Sequence, residues 1–178
     1  LEAQGAFARL VKVDHPFHHP LMRPASEALE AALADFKPLP AAVPFFSTVT
    51  GERCAGESCN AAYWGRGIRE PVRFASAVGA LADFGADVWL ELNAHPALAN
   101  PVQECLLSRG AKTAVISSAR REREFESVLE AAMDLHRAGV PLDFSAMTPS
   151  RHLLSLPAYA WEKTRWWNEA SDARDGRL

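Results

Sequence analysis

The chain has 178 residues, 48% of them hydrophobic, and a formal net charge of -3. That length holds one sizeable domain with its own core, and a near-neutral balance with Lys and Arg scattered along the sequence excludes the basic stripe of a nucleic-acid binder. No apolar run approaches a membrane span and no charged n-region followed by an apolar h-region opens the chain, so no membrane partner is expected and the protein reads as cytoplasmic.

Taken in order, Phe7 to Val13 alternates apolar and polar residues as a strand does, and it leads into Val13-Asp14-His15-Pro16-Phe17-His18-His19-Pro20-Leu21-Met22, three histidines within five residues. Pro16 enforces an extended backbone just before it. A helix follows to Asp35 or Phe36, with Pro24 suited to its first turn and Met22, Ala25, Leu29, Ala32, Leu33 and Phe36 as its apolar face. Pro38, Pro40 and Pro44 end it. Phe45 to Thr50 reads as a short strand stopped by a turn at Gly51, followed by a polar loop.

Ala61 to Arg69 and Val72 to Phe84 are helical patterns separated by Pro71, the second with Val72, Phe74, Ala75, Val78, Leu81 and Ala82 as its buried face and Gly85 at its end. Asp87 to Leu92 reads as a buried strand, Asn93 to Pro96 as a turn, Ala97 to Arg109 as a returning helix closed by Gly110, and Lys112 to Ser117 as a further strand. Strand, helix and strand at this spacing imply a right-handed parallel crossover, so the body belongs to the α/β class. Glu122 to Ala138 is a long amphipathic helix with Phe125, Val128, Leu129, Ala132, Met133 and Leu135 as its apolar residues. Residues 140–151 are rich in turns, and residues 169–178 are charged and small, with the composition of a disordered tail.

Three cysteines cannot all pair with one another, which fits a reducing compartment. Cys54 and Cys59 share the polar loop without a second Cys/His pair to complete a tetrahedral site, so they read as free thiols, and no metal is expected. Cys105 falls in an apolar helical pattern and reads as packed.

Six segments carry a family resemblance: Val13 to Met22, Phe45-Phe46-Ser47-Thr48-Val49-Thr50-Gly51, Tyr63-Trp64, Arg69-Glu70-Pro71-Val72-Arg73-Phe74, Glu91-Leu92-Asn93-Ala94-His95-Pro96-Ala97-Leu98, and Leu156 to Trp167. In order and spacing they resemble the acyltransferase domain of type I polyketide synthases, its C-terminal part with the linker that follows. The fold this implies is the C-terminal portion of an α/β-hydrolase-like subdomain at residues 14–120. Residues 1–13 would be the end of a ferredoxin-like subdomain, 121–168 the post-acyltransferase linker and 169–178 the tail. The chain opens at Leu1 without a Met and is expected to come from something longer.

The resemblance implies transfer of a malonyl-type unit from coenzyme A to an acyl carrier protein through a seryl ester. His18 would be the general base, since an imidazole can take a proton from the nucleophile and return it to the leaving thiolate. Gly-x-Ser-x-Gly occurs nowhere in these residues, so the nucleophile is expected outside the chain and the chain alone is expected to be inactive. Backbone carbonyls of the Asn93 to His95 turn would orient the imidazole in place of a triad acid.

His15 and Phe17 would set substrate choice, because His15-Pro16-Phe17-His18 is similar to the family's malonyl pattern, in which the phenylalanine fills the space an α-methyl would need. Pro16 stands where that pattern has alanine. His15 and His19 otherwise take neighbouring roles, and Arg69, Glu70 and Arg73 read as an ion-pair network at a helix junction. No cofactor is expected on the chain itself. Coenzyme A enters as the substrate's thioester and phosphopantetheine on the carrier protein, with malonyl-CoA, acyl carrier protein and a neighbouring ketosynthase domain as partners. Two alternatives stand beside this reading: a non-catalytic interdomain scaffold, built on the region after Arg121 with Tyr159, Trp161, Trp166 and Trp167, and a trans-acting malonyl transferase. The tryptophan-rich end favours a multidomain synthase over the latter.

Overall fold

The computed structural model describes Gly5, residues 13–147 and residues 155–164. The expected strand from Phe7 and the pair Trp166 and Trp167 therefore lie outside the described residues. The chain divides into two compact units, Leu1–Leu142 and Asp143–Leu178.

In the first unit, a 3-10 turn at Pro20–Met22 leads straight into α1 (Arg23–Ala32), with Pro24 in the first turn, where a missing N–H costs nothing. α1 stops three or four residues short of the expected end, because residues 33 to 36 close through tight bonds such as Phe36 N–H to the Leu33 carbonyl, 2.9 Å. Its expected apolar face is only partly buried. Leu29 and Leu33 are half-buried, Ala25, Ala32 and Phe36 are exposed, and the buried residue is Ser26. Ser26 Oγ donates to the Gly65 carbonyl, 2.8 Å, and lies 3.1 Å from Glu30 Oε1, so a polar knot holds α1 to α2 (Ala61–Arg69). A Cβ on Gly65 would come within 2.0 Å of that Glu30 oxygen, and the glycine is what lets the two helices approach.

The expected strand Phe45 to Thr50 shrinks to β1 (Phe45–Phe46), which pairs antiparallel with β2 (Arg53–Cys54), a strand unforeseen in the polar loop. Ser47 is the reason. Its buried Oγ accepts the N–H groups of Val49, 3.0 Å, and Thr50, 3.3 Å, and so draws the backbone out of the ladder and into a turn. Gly51 completes that turn at φ +81, where a Cβ would also meet Ser76 Cβ at 2.9 Å. The same Ser47 Oγ hydrogen-bonds Tyr63 Oη at 2.8 Å, fastening the hairpin to α2, whose start is capped by Asn60 Oδ1 accepting Tyr63 N–H, 3.1 Å.

α3 (Phe74–Asp83) begins two residues later than expected. Val72 and Ala75 are exposed, and its core contribution is Ala77, Val78 and Gly79. β3 (Val88–Glu91), α4 (Ala99–Ser108) and β4 (Ala114–Ser117) form the expected parallel crossover, with Val88 opposite Ala114 and Glu91 opposite Ser117. Leu106 of α4 is wholly buried, and an Arg109–Asp83 ion pair joins the ends of α4 and α3.

α5 (Glu124–Arg137) packs on β4. Its buried residues are Ser127 and Ala131, the small side, while Phe125, Val128, Leu129 and Met133 are exposed, contrary to the burial expected of an apolar face. α5, expected as the start of the linker, thus lies inside the first compact unit. In the second unit, Asp143 Oδ1 accepts the N–H of Ser145, 2.9 Å, at the start of the short helix α6 (Phe144–Met147), and the rings of Tyr159 and Trp161 lie 4.6 Å apart.

Candidate active site

The histidine segment is tied to the end of α2. A helix leaves its last carbonyls without intrahelical donors, and two at this end are taken by one residue. His18 N–H donates to the Ile68 carbonyl, 2.8 Å, and His18 Nδ1 lies 3.0 Å from the Glu70 carbonyl. Glu70 precedes Pro71 and is extended, φ -86 and ψ 154, as a residue before proline must be; it ends the helix there.

His18 itself sits at φ +62, in the left-handed region. A non-glycine residue held there costs on the order of 1 to 3 kcal/mol, and the two hydrogen bonds to α2 hold it in place. A carbonyl can only accept, so the Nδ1–H tautomer is selected and Nε2 carries the lone pair. Such an imidazole presents its acceptor lone pair at Nε2.

The neighbours fall into place around it. Phe17 lies edge-on to His15, 4.4 Å between ring centres, and tilted against His18 at 6.2 Å. His19 points elsewhere: its Nδ1 accepts Leu21 N–H at 3.2 Å and caps the 3-10 turn. Arg69 and Glu70 pair side by side at 3.6 Å, the Arg69–Glu70 part of the expected junction network.

Asn93 and His95 do not supply the acceptor found for the imidazole. That acceptor is the Glu70 carbonyl, and the Asn93 carbonyl accepts instead from Ser118 Oγ, 3.2 Å. The turn they occupy is organised by Glu91 at the end of β3, whose carboxylate accepts the N–H groups of Ala97, Leu98 and Ala99 at 2.9, 3.0 and 2.8 Å. Desolvation pushes that carboxyl up, but these three N–H groups and the Asn93 amide outweigh it and hold it below the ordinary value. His95 lines a polar cleft of about 470 Å³ with Ser117, Arg120, Glu130 and Asp134. Tyr63 has the opposite balance: burial raises its phenol, and the Ser47 hydrogen bond only partly offsets this.

The Glu70 carbonyl is the His18 contact that the sequence reading missed. Its signal was positional, a helix ending at Arg69, two residues before Pro71, though nothing in the sequence places that end beside His18. Among the described residues no cluster of His, Cys, Asp and Glu fit to hold a metal occurs.

A family profile described as the acyl transferase domain matches residues 1–141. The chain belongs to the acyl transferase domain family. Its relatives are polyketide synthases. It is 38% identical over 169 residues to polyketide synthase GfsB of Streptomyces halstedii, covering 94% of this chain and 3% of that one. It is 35% identical over 161 residues to the phthioceranic/hydroxyphthioceranic acid synthase of Mycobacterium tuberculosis, covering 90% and 8%.

Among solved structures, the acyltransferase domain from module 8 of the salinomycin polyketide synthase matches this acyl transferase chain with a TM-score of 0.77 and 36% identity, over 81% of this chain and 34% of that one. The acyltransferase domain from the second module of the same synthase matches with a TM-score of 0.77 and 32% identity, over 90% and 38%. The chain thus spans roughly a third of a solved acyltransferase domain and a small part of a synthase. No described helix is long and apolar enough to cross a membrane.

Proposed function

We propose that this chain is the base-bearing part of a polyketide synthase acyltransferase that moves a malonyl-type unit from coenzyme A to the phosphopantetheine of an acyl carrier protein. His18 Nε2 takes the proton of a serine outside these residues as it attacks the thioester carbonyl, and the imidazolium gives it to the departing thiolate; the carrier thiol then reverses the sequence. The observation that carries this reading is the fixed tautomer of His18, with Nδ1 on the Glu70 carbonyl and its backbone held left-handed. Phe17, beside both His15 and His18, supports malonyl over a branched unit on steric grounds. Residues 14–120 then belong to an α/β-hydrolase-like subdomain and residues 1–13 to the end of a ferredoxin-like one.

In the complete parent enzyme His18→Ala should lower acyl loading by about 100- to 10,000-fold, as loss of a general base does, and His15→Ala should do much less. Radiolabelled malonyl transfer to carrier protein measures both. The reverse ranking would move the base to His15.

A second reading applies to residues 121–168, as an interdomain scaffold with a neighbouring ketosynthase as partner. Its support is the exposed apolar stripe of α5, Phe125, Val128, Leu129 and Met133, and separately the exposure of Leu156, Tyr159 and Trp161. Apolar side chains grouped in the open are what partner surfaces show.

A further inference from the structure

Cys54 and Cys59 belong to none of the groups around His18, yet the fold brings them together. β2 delivers Cys54 buried. Ala55 stays extended, and a 3-10 turn at Gly56–Ser58 then reverses the chain, closed by Ser58 N–H to the Ala55 carbonyl and Cys59 N–H to the Gly56 carbonyl, both 3.0 Å. The turn is pinned from outside as well, since a Cβ on Gly56 would lie 2.3 Å from the Leu39 carbonyl oxygen and 2.5 Å from the Ala41 nitrogen. Both thiols converge on one acceptor, with Cys54 Sγ 3.5 Å and Cys59 Sγ 4.0 Å from the Ala55 carbonyl oxygen. Cys59 is partly exposed and Cys54 is buried, so Cys59 is the thiol open to a reagent.

We propose that Cys54 and Cys59 form a dithiol site that a small-molecule disulfide of the glutathione class converts to an intramolecular disulfide. The Cys59 thiolate attacks one sulfur of the reagent, whose S–S bond breaks and releases one thiolate. The Cys54 thiolate then attacks Cys59 Sγ and displaces the second. The protein loses two electrons and two protons, and the reagent gains them as two thiols. The free thiols expected from a reducing compartment are the resting form of this site. The closed form ties β2 to the residue before Asn60, the cap of α2, and α2 is the helix whose far end holds His18.

The test equilibrates the full chain with mixtures of reduced and oxidised glutathione, native and in urea, then alkylates free thiols and maps the products by peptide mass. The expected native product is a Cys54–Cys59 disulfide with Cys105 alkylated. Its effective concentration should be about tenfold or more above that of the denatured chain, where only the short loop favours closure. An effective concentration no higher in the native chain, a persistent glutathione adduct on Cys59, or pairing with Cys105 would overturn the proposal. The readout is thiol mass, so it stands or falls independently of the His18 assignment.

Discussion

At the scale of single residues, three adjacent side chains do three different things. His18 is fixed by α2, His19 caps a turn, and Phe17 rests edge-on against His15 while remaining 51% exposed. An exposed ring beside the proposed base is available to meet a substrate. If Phe17 reads the α-carbon of the extender unit, Phe17→Ser in the parent enzyme should raise the methylmalonyl to malonyl ratio of kcat/KM, by no more than the roughly 10- to 200-fold that one methyl is worth. Competition between the two thioesters measures this directly. A fall in rate with the ratio unchanged would make Phe17 a support for the base instead.

Among the elements, the turn after β3 depends on one carboxylate. Glu91 accepts three successive N–H groups at the start of α4, the role a capping side chain plays. Because its carboxyl is held below the ordinary value, its contribution is complete above the unfolded carboxyl pKa and is lost as pH falls through the lowered folded one. Glu91→Ala should therefore cost about 1 to 2 kcal/mol at neutral pH and flatten the acid limb of stability, read from urea midpoints across pH. An unchanged acid limb would assign that slope to other carboxylates.

The sequence disclosed elements well where local signals agreed. Ala61–Arg69, with Asn60 before it and Pro71 after it, came out with its observed ends, and β3, α4 and β4 kept their order and parallel pairing. It failed where a side chain competed with the backbone, as Ser47 does in ending β1, and where a helix buries its small side, as α5 does with Ser127 and Ala131. The acceptor for His18 is a backbone carbonyl, so no residue type at position 70 marks it.

For the molecule as a whole, the break after Leu142 and the family profile's end at residue 141 nearly coincide, while similarity to curated relatives continues beyond, over 173 residues in the case of the spectinabilin polyketide synthase system protein NorC of Streptomyces orinoci. On the proposed linker reading, this segment lies outside the acyl-loading machinery. Truncating the parent enzyme after Ser155 should then leave acyl loading from coenzyme A largely intact and weaken ketosynthase-dependent chain extension. Equal loss of both would make the segment part of the acyltransferase fold and end the separate linker reading.

The left-handed backbone of His18 bears on how any replacement there is to be interpreted. Alanine removes the imidazole, but it also places a Cβ-bearing residue with no local hydrogen bonding in a conformation it disfavours, so its phenotype mixes loss of the proposed proton transfer with a loosened segment. Glycine takes this conformation without steric penalty and asparagine tolerates it better than most residues. A matched set of His18→Asn, His18→Gly and His18→Ala separates the two: the activity lost by all three is the chemistry, and the further deficit of alanine alone is the geometry.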